Sequence, residues 1–420
     1  MVRLTVRSLL ATVVLVLLGA AAARGQDQEP QDHTNHAAPS SWMLMYDGAL
    51  FATFNHQTGP RGADEFVSTD WFMAMAMRQA GPGRLTLTGM GSLDRATTGP
   101  QGYRELFQVG ESYHFIPITD RQHPHDLLMQ ASVAWRIPLT DKTGLTFAGA
   151  PVGEPALGPV AFMHRASAAE NPVAPLSHHT LDSTHISMGV ITVGVDRGPW
   201  IFESSVFQGT EPDDNRWDLV DFGPLDSWSA RVTYKASESW EIQGSHGYLK
   251  NPEFLEFASM HRTTASASWF KPGANGFTAA TFAFGRNDKQ FHGNFHAALA
   301  EATRRQGALS FYGRLEGVEV ETELLQTQGR FHSHSQVAKD LVTAGTFGGV
   351  IDLPRWKMWK MLSPLEAGLG AELTSYVVPN ALRATHGDHP VSFRVFLRVR
   401  PPAGSMGRMW NMRMGGAMHH

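Results

Sequence analysis

Residues 227–235 read Ser227-Trp228-Ser229-Ala230-Arg231-Val232-Thr233-Tyr234-Lys235. Every second residue of this stretch is Trp, Ala, Val or Tyr, and the intervening ones are Ser, Ser, Arg, Thr and Lys. A period of two is that of a β-strand, and faces so unlike each other place one in an apolar medium and the other in a polar one. Leu128 to Ile137 repeats the pattern, with Met129, Ala131, Val133, Trp135 and Ile137 set against Gln130, Ser132 and Arg136. So does the C-terminal stretch, with Val391, Phe393, Val395, Leu397 and Val399 set against Ser392, Arg394, Arg398 and Arg400.

Working outward, the alternation predicts sixteen strands near 42–56, 66–79, 84–94, 128–138, 144–150, 185–196, 200–208, 227–236, 240–249, 259–271, 277–287, 294–304, 308–322, 338–352, 364–376 and 390–400. Links after even-numbered strands are mostly tight turns, such as Gly81-Pro82-Gly83, Arg197-Gly198-Pro199 and Ser237-Glu238-Ser239, whereas links after odd-numbered strands are longer. Short and long links in strict alternation belong to an up-and-down antiparallel transmembrane β-barrel, all-β, with short periplasmic turns and long external loops. An even strand count returns both termini to the periplasm, and closure removes the sheet edges that such a meander would expose. Tryptophans near strand ends, including Trp42, Trp71, Trp200 and Trp240, fit interfacial girdles.

The ends of the chain read differently. Arg3 and Arg7, the apolar run Leu9 to Leu18 and the small residues up to Gly25 form a signal peptide over 1–25, which implies export. Residues 26–41 form a flexible polar tail carrying His33 and His36, the barrel occupies 42–400, and 401–420 is a Met/His-rich tail. The absence of cysteine excludes a disulfide scaffold. A formal net charge of −4 without a basic stripe excludes nucleic acid as a partner.

Signal peptide, meander and terminal strand together resemble a bacterial porin-type outer-membrane β-barrel. The resemblance covers roughly 42–400 and implies a place in the bacterial outer membrane, lipid around the barrel and small-solute transport through it; an oligomer is possible, and its order is left open by the sequence. Pro401-Pro402 departs from the pattern, because such barrels usually finish on an aromatic residue of the last strand; Phe393 and Phe396 are the nearest substitutes.

The chemistry concentrates between Asp120 and His185. Loop 2 (about 95–127) supplies Asp120, His123, His125 and Asp126; loop 3 (about 151–184) supplies Glu154, His164, His178, His179 and Asp182, with His185 at its end. Imidazole and carboxylate are ligands for Cu²⁺ and Zn²⁺, and His123 and His125 flank a proline that keeps the chain extended. The structural reading of the same residues is a generic porin whose loop histidines brace a constriction. Glu211, Asp213, Asp214 and Arg216 of loop 4 are expected to pair with Arg121 or Arg165.

The tail adds Met406, Met409, Met412, Met414, Met418, His419 and His420, and thioether sulfur selects Cu(I). This Met and His richness is similar to copper-resistance outer-membrane proteins of the CopB/PcoB type, in which the Met/His-rich region precedes the barrel. Metal binding, copper above zinc, is therefore the expected cofactor chemistry of a porin-like channel. An outer-membrane hydrolase or lipid-modifying enzyme built on Ser183, His179 or His185 and Asp182 is the alternative, although no nucleophile turn surrounds Ser183. Met73, Met75 and Met77 share a face with Trp71 and are expected to meet lipid, whereas Met43 and Met45 are expected in the lumen.

Overall fold

The computed structural model describes residues 41–253, 258–330, 337–354, 365–403 and 408. The expected signal peptide over 1–25, His33 and His36, the turn containing Trp356 to Met361, and Met406, Met409, Met412, Met414, Met418, His419 and His420 lie outside the described residues.

Three strands open the chain: β1 (Met43–Gln57), β2 (Asp64–Ala80) and β3 (Gly83–Gly91). Two more, β4 (Tyr103–Tyr113) and β5 (Ile116–Gln122), stand apart as a two-stranded sheet. The wall resumes with β6 (Leu128–Thr140), β7 (Thr143–Gly153), β8 (Ser187–Arg197), β9 (Trp200–Phe207), β10 (Ser227–Lys235) and β11 (Trp240–Leu249). It continues with β12 (Met260–Gly273), β13 (Gly276–Lys289), β14 (Gly293–Gln306), β15 (Leu309–Glu321), β16 (Lys339–Asp352), β17 (Glu366–Val377) and β18 (Val391–Arg400). Setting β4 and β5 aside, these form one closed antiparallel barrel of sixteen strands, which β18 seals against β1 from Leu50↔Val399 to Gln57↔Ser392.

The two faces of the wall follow the alternation. Outward positions hold Trp228, Val232, Phe393, Val395 and Leu397, all more than a third exposed, while Ser229, Arg231, Thr233, Arg394 and Arg398 are buried inside. An apolar exterior around a polar interior, with every strand edge paired, is stable only in a bilayer, so the barrel is an outer-membrane one.

The interior is filled by loops 2 and 3, which hydrogen-bond to the wall on every side. Loop 3 reaches β9 (Ala156 N–H to Ser205 Oγ, 2.8 Å), β11 (Gly158 N–H to Ser245 Oγ, 2.9 Å) and β15 (Ser177 N–H to Glu316 Oε1, 3.0 Å). Buried ion pairs reinforce these contacts: Arg165 with Glu301 on β14 at 2.7 Å, Arg231 on β10 with Glu154 at 3.2 Å, and Glu170 with Arg398 and Arg400 on β18. In loop 2, Glu105 pairs with Arg394. Such pairs contribute little net stability, yet breaking one side of a pair costs roughly 3–5 kcal/mol, so they fix where the loops sit more than they stabilise the fold.

Four expectations need correction. The hairpin β4–β5 was not foreseen inside loop 2; it is irregular, with two register shifts and positive φ at Phe107, Glu111 and Asp120, so no clean period of two marks it. Met73, Met75 and Met77 face the lumen, buried with Met90, Met129, Met163 and Met188 around Phe162, while Phe72 faces lipid. Loop 3 makes this part of the lumen apolar, so the apolar face of β2 turns inward, and Trp71 turns with it. Met129 also points inward, where the pairing of β3 with β6 slips at Met90/Gly91 and that of β6 with β7 slips after Ala131. Phe396 packs inside against Phe51, with ring centroids 5.7 Å apart.

Candidate functional site

His123 and His125 lie just beyond the end of β5, either side of Pro124 in an extended segment, and both are buried. His125 Nδ1 is 2.7 Å from Asp94 Oδ2, and Asp94 is itself fixed to the wall by the Asp70 N–H at 2.7 Å. His123 Nδ1 lies 3.1 Å from Glu111 Oε1. From loop 3, the helical turn His178–Leu181 places His178 four residues before Asp182, within reach on one face. His178 Nδ1 is 2.7 Å from Asp182 Oδ1, and His185 Nδ1 is 2.8 Å from the Asp182 carbonyl oxygen. Arg165 donates to Asp182 Oδ2 at 2.6 Å, so this carboxylate is held between a guanidinium and an imidazole.

The five rings form one cluster. Centroids are 5.1 Å apart for His178 and His185, 5.6 Å for His125 and His185, 5.2 Å for His178 and His179, and 5.1 Å for His123 and His179. His125, His178 and His185 share a further property: each has Nδ1 occupied by an oxygen, and each has a buried Nε2 with no hydrogen-bond partner among the described residues. An imidazole pinned at one nitrogen by a carboxylate or carbonyl has its tautomer fixed and its other lone pair aimed, as in carboxylate–histidine–metal arrangements. Burial, and after it the neighbouring imidazoles, push the pKa of His123, His179 and His185 well below the usual value, which keeps these rings neutral. Beside them, against loop 4, lies a narrow crevice of about 10 Å³ lined by His123, His125, His185, Glu211 and Arg216.

The rings are spread more widely than in a closed metal centre. Among the described residues, the grouping whose ligand atoms all lie within 4.8 Å of one another is Asp213, Asp218 and Asp221 in loop 4, not the histidines. A tetrahedral ion holds imidazole nitrogens at about 2.0–2.1 Å, so binding requires these rings to draw inward.

Other expected ligands stand elsewhere. Asp126 pairs with Arg216 at 3.1 Å, and Arg216 also pairs with Glu111. Arg121 and Arg165, the expected partners of loop 4, pair instead with Glu65 and with Asp182 and Glu301. Asp182 has both oxygens engaged and orients His178 instead of offering itself as a ligand. His164 packs edge-on to Trp71, centroids 4.8 Å apart, outside the ring cluster, and burial lowers its pKa to about 4. Ser183 Oγ accepts from Arg262 at 2.9 Å, and among the described residues no hydrogen bond joins it to His179 or His185, so the acyl-transfer triad is not assembled. Asp94, which orients His125, and Glu111, which lies beside His123, were not singled out from sequence; no motif links them to these histidines.

Gly110 shows how closely the loops are fitted. Its φ is +140°, and a Cβ there would fall 2.2 Å from the His179 ring. Gly110→Ala should therefore displace that ring and lower the temperature at which the folded band disappears in unheated gels. Removing the ring as well, in Gly110→Ala/His179→Ala, should recover part of the loss; equal losses in both variants would show that the backbone angle alone matters.

A closed sixteen-stranded barrel with an apolar exterior and long loops folded into a polar lumen is a porin-type outer-membrane barrel. No protein-family model and no curated protein matches the sequence. Among solved structures the chain is similar to Pseudomonas putida OprB (10% identity, TM-score 0.53, covering 86% of this chain and 94% of that one). It is also similar to the anion-selective porin of Comamonas acidovorans (8% identity, TM-score 0.51, 86% and 100% covered). A third is Salmonella typhi OmpF, in complex with daunomycin (8% identity, TM-score 0.51, 85% and 97% covered). At these identities the likeness concerns the fold.

Proposed function

We propose that this barrel is a plugged channel that handles a transition-metal ion, with His125, His178 and His185 as the ligands in its lumen. One observation carries the reading: three buried imidazoles, each anchored through Nδ1, each with an Nε2 that has no hydrogen-bond partner among the described residues. Buried polar atoms are nearly always satisfied, so three unsatisfied nitrogens in contacting rings call for a common partner. Neutral imidazole suits Cu²⁺ or Zn²⁺, and the polar wall offers small ions an aqueous route once loops 2 and 3 shift. His123 and His179 border the site and would enter as the rings close. The likeness to copper-resistance barrels rests on residue types alone.

Calorimetric titration of the purified barrel with Zn²⁺ and Cu²⁺ tests this. The expected result is one tight equivalent that disappears in His125→Ala/His178→Ala/His185→Ala. Unchanged stoichiometry in that variant would leave a porin whose histidines are structural.

A further inference from the structure

Half of the chain's 18 methionines gather in one place: seven buried ones and the partly buried Met43 and Met45 form a single cluster on the lumen side of β1, β2, β3, β6 and β8 and in loop 3. They are in register. Met43 pairs with Met77, Met45 with Met75, and Met73 with both Asp47 and Met90, so thioethers run in a ladder up the wall from the tight turn after β2. Side chains directly opposite across antiparallel strands lie about 4.5–5.5 Å apart at Cβ, close enough for two sulfurs to share an ion.

Packing alone does not account for the choice. On the same strands the lipid-facing positions are Leu44, Tyr46, Phe72 and Leu87, and none is Met. A buried Met gives up more rotamer freedom than a Leu of similar volume, so an apolar lumen patch would be built more cheaply from Leu. Sulfur is confined to the face that lines the lumen.

A second observation points to a ligand there. His164 is 1% exposed, and among the described residues neither of its ring nitrogens has a hydrogen-bond partner. Its ring abuts Trp71, which packs against the methionines, and the adjacent Met163 belongs to the cluster. Phe162, in the same cluster, touches His178 at a centroid distance of 5.3 Å, so the methionine wall ends against the histidine centre.

We propose that His164 and the methionine wall form a second, soft-metal site for a monovalent thiophilic cation, Cu(I) or Ag(I), between the histidine centre and the end of the barrel that carries the short turns. The inference rests on the reading of this barrel as a metal-handling one, and extends it by adding a site of softer donors beside the histidine centre. Thioether with imidazole is a donor set that prefers such ions over Zn²⁺.

The test uses the full chain, with silver nitrate as a redox-stable probe and zinc in parallel, titrated into the purified barrel by calorimetry. Met73→Leu/Met75→Leu/Met90→Leu/Met163→Leu retains volume while removing sulfur, and His164→Phe retains a ring. Both variants should lose one Ag(I) equivalent, or bind it at least tenfold more weakly, with Zn²⁺ binding unchanged. In His125→Ala/His178→Ala/His185→Ala the reverse is expected, zinc lost and silver retained. Silver binding equal to that of the unsubstituted chain in both the leucine and the phenylalanine variants overturns the inference while leaving the histidine centre standing. Zinc binding that survives the triple alanine variant overturns the histidine centre instead.

Discussion

Glu170→Gln is expected to release loop 3 from the wall and raise the conductance of the barrel. The carboxylate sits fully buried among three guanidinium groups: it accepts from Arg398 and from Arg400 at 3.0 Å, and Arg305 lies 3.7 Å away. An amide of the same shape removes the charge, and an uncompensated buried charge costs roughly 3–5 kcal/mol. The wall has other partners for these arginines, Asp352 for Arg398 and Arg305 and Glu366 for Arg400, so β18 stays paired while the loop lets go. Planar-bilayer recordings should show more frequent or larger openings, and protease should cut within 151–184. A variant with unaltered conductance and unaltered cleavage would show that Glu170 does not hold the plug.

Acid should act at the same anchor. Burial by itself raises the Glu170 pKa, but Arg400, Arg398 and Arg305 outweigh it and hold the carboxyl down to about 2, against an ordinary 4.5. A carboxyl whose folded pKa is depressed contributes stability that is complete above the unfolded value and is lost as pH falls toward the folded one. The anchor's contribution is therefore complete above about 4.5 and disappears between there and about 2. The Gln variant should lack that step.

Asp182→Asn should weaken metal binding by roughly 10- to 100-fold, the range typical of lost partners behind a ligand. Asp182 orients His178 through its carboxylate and His185 through its carbonyl, and it is locked in turn by Arg165. Burial opposes ionisation here, yet Arg165 and His178 hold the carboxyl well below the usual carboxylate range. The amide leaves Arg165 with the Glu301 carboxylate and the Val160 carbonyl, and loosens the hold on the His178 ring. Asp94→Asn, which releases only His125, should cost less. Competition with a chromophoric chelator measures both; Asp182→Asn binding as tightly as the unsubstituted chain would remove His178 from the centre.

How much of this was legible follows from what each feature depends on. The sixteen wall strands could be read because alternation is a local property of each strand; residues 227–235 carry it without interruption, and 391–400 break it only at Phe396. The orientation of β2 could not, because taking apolar residues as lipid-facing assumes an aqueous lumen, and Met73, Met75 and Met77 instead meet Phe162 and Met163 of a loop nearly ninety residues away. The hairpin inside loop 2 was hidden by the positive φ angles at Phe107, Glu111 and Asp120. At the site, the residue types were plain and their pairing was not. His125 takes its orienting oxygen from Asp94, 31 positions earlier. His164, close in sequence to the others, turns toward Trp71, because chain proximity does not set ring direction.

X-ray absorption on the zinc-loaded full-length barrel reads the ligands of the ion themselves. The expected spectrum is that of a four-coordinate ion with a nitrogen shell at about 2.0–2.1 Å and outer-shell scattering from three imidazole rings, reduced in Asp182→Asn. An all-oxygen shell, or zinc that washes out on gel filtration, would contradict it.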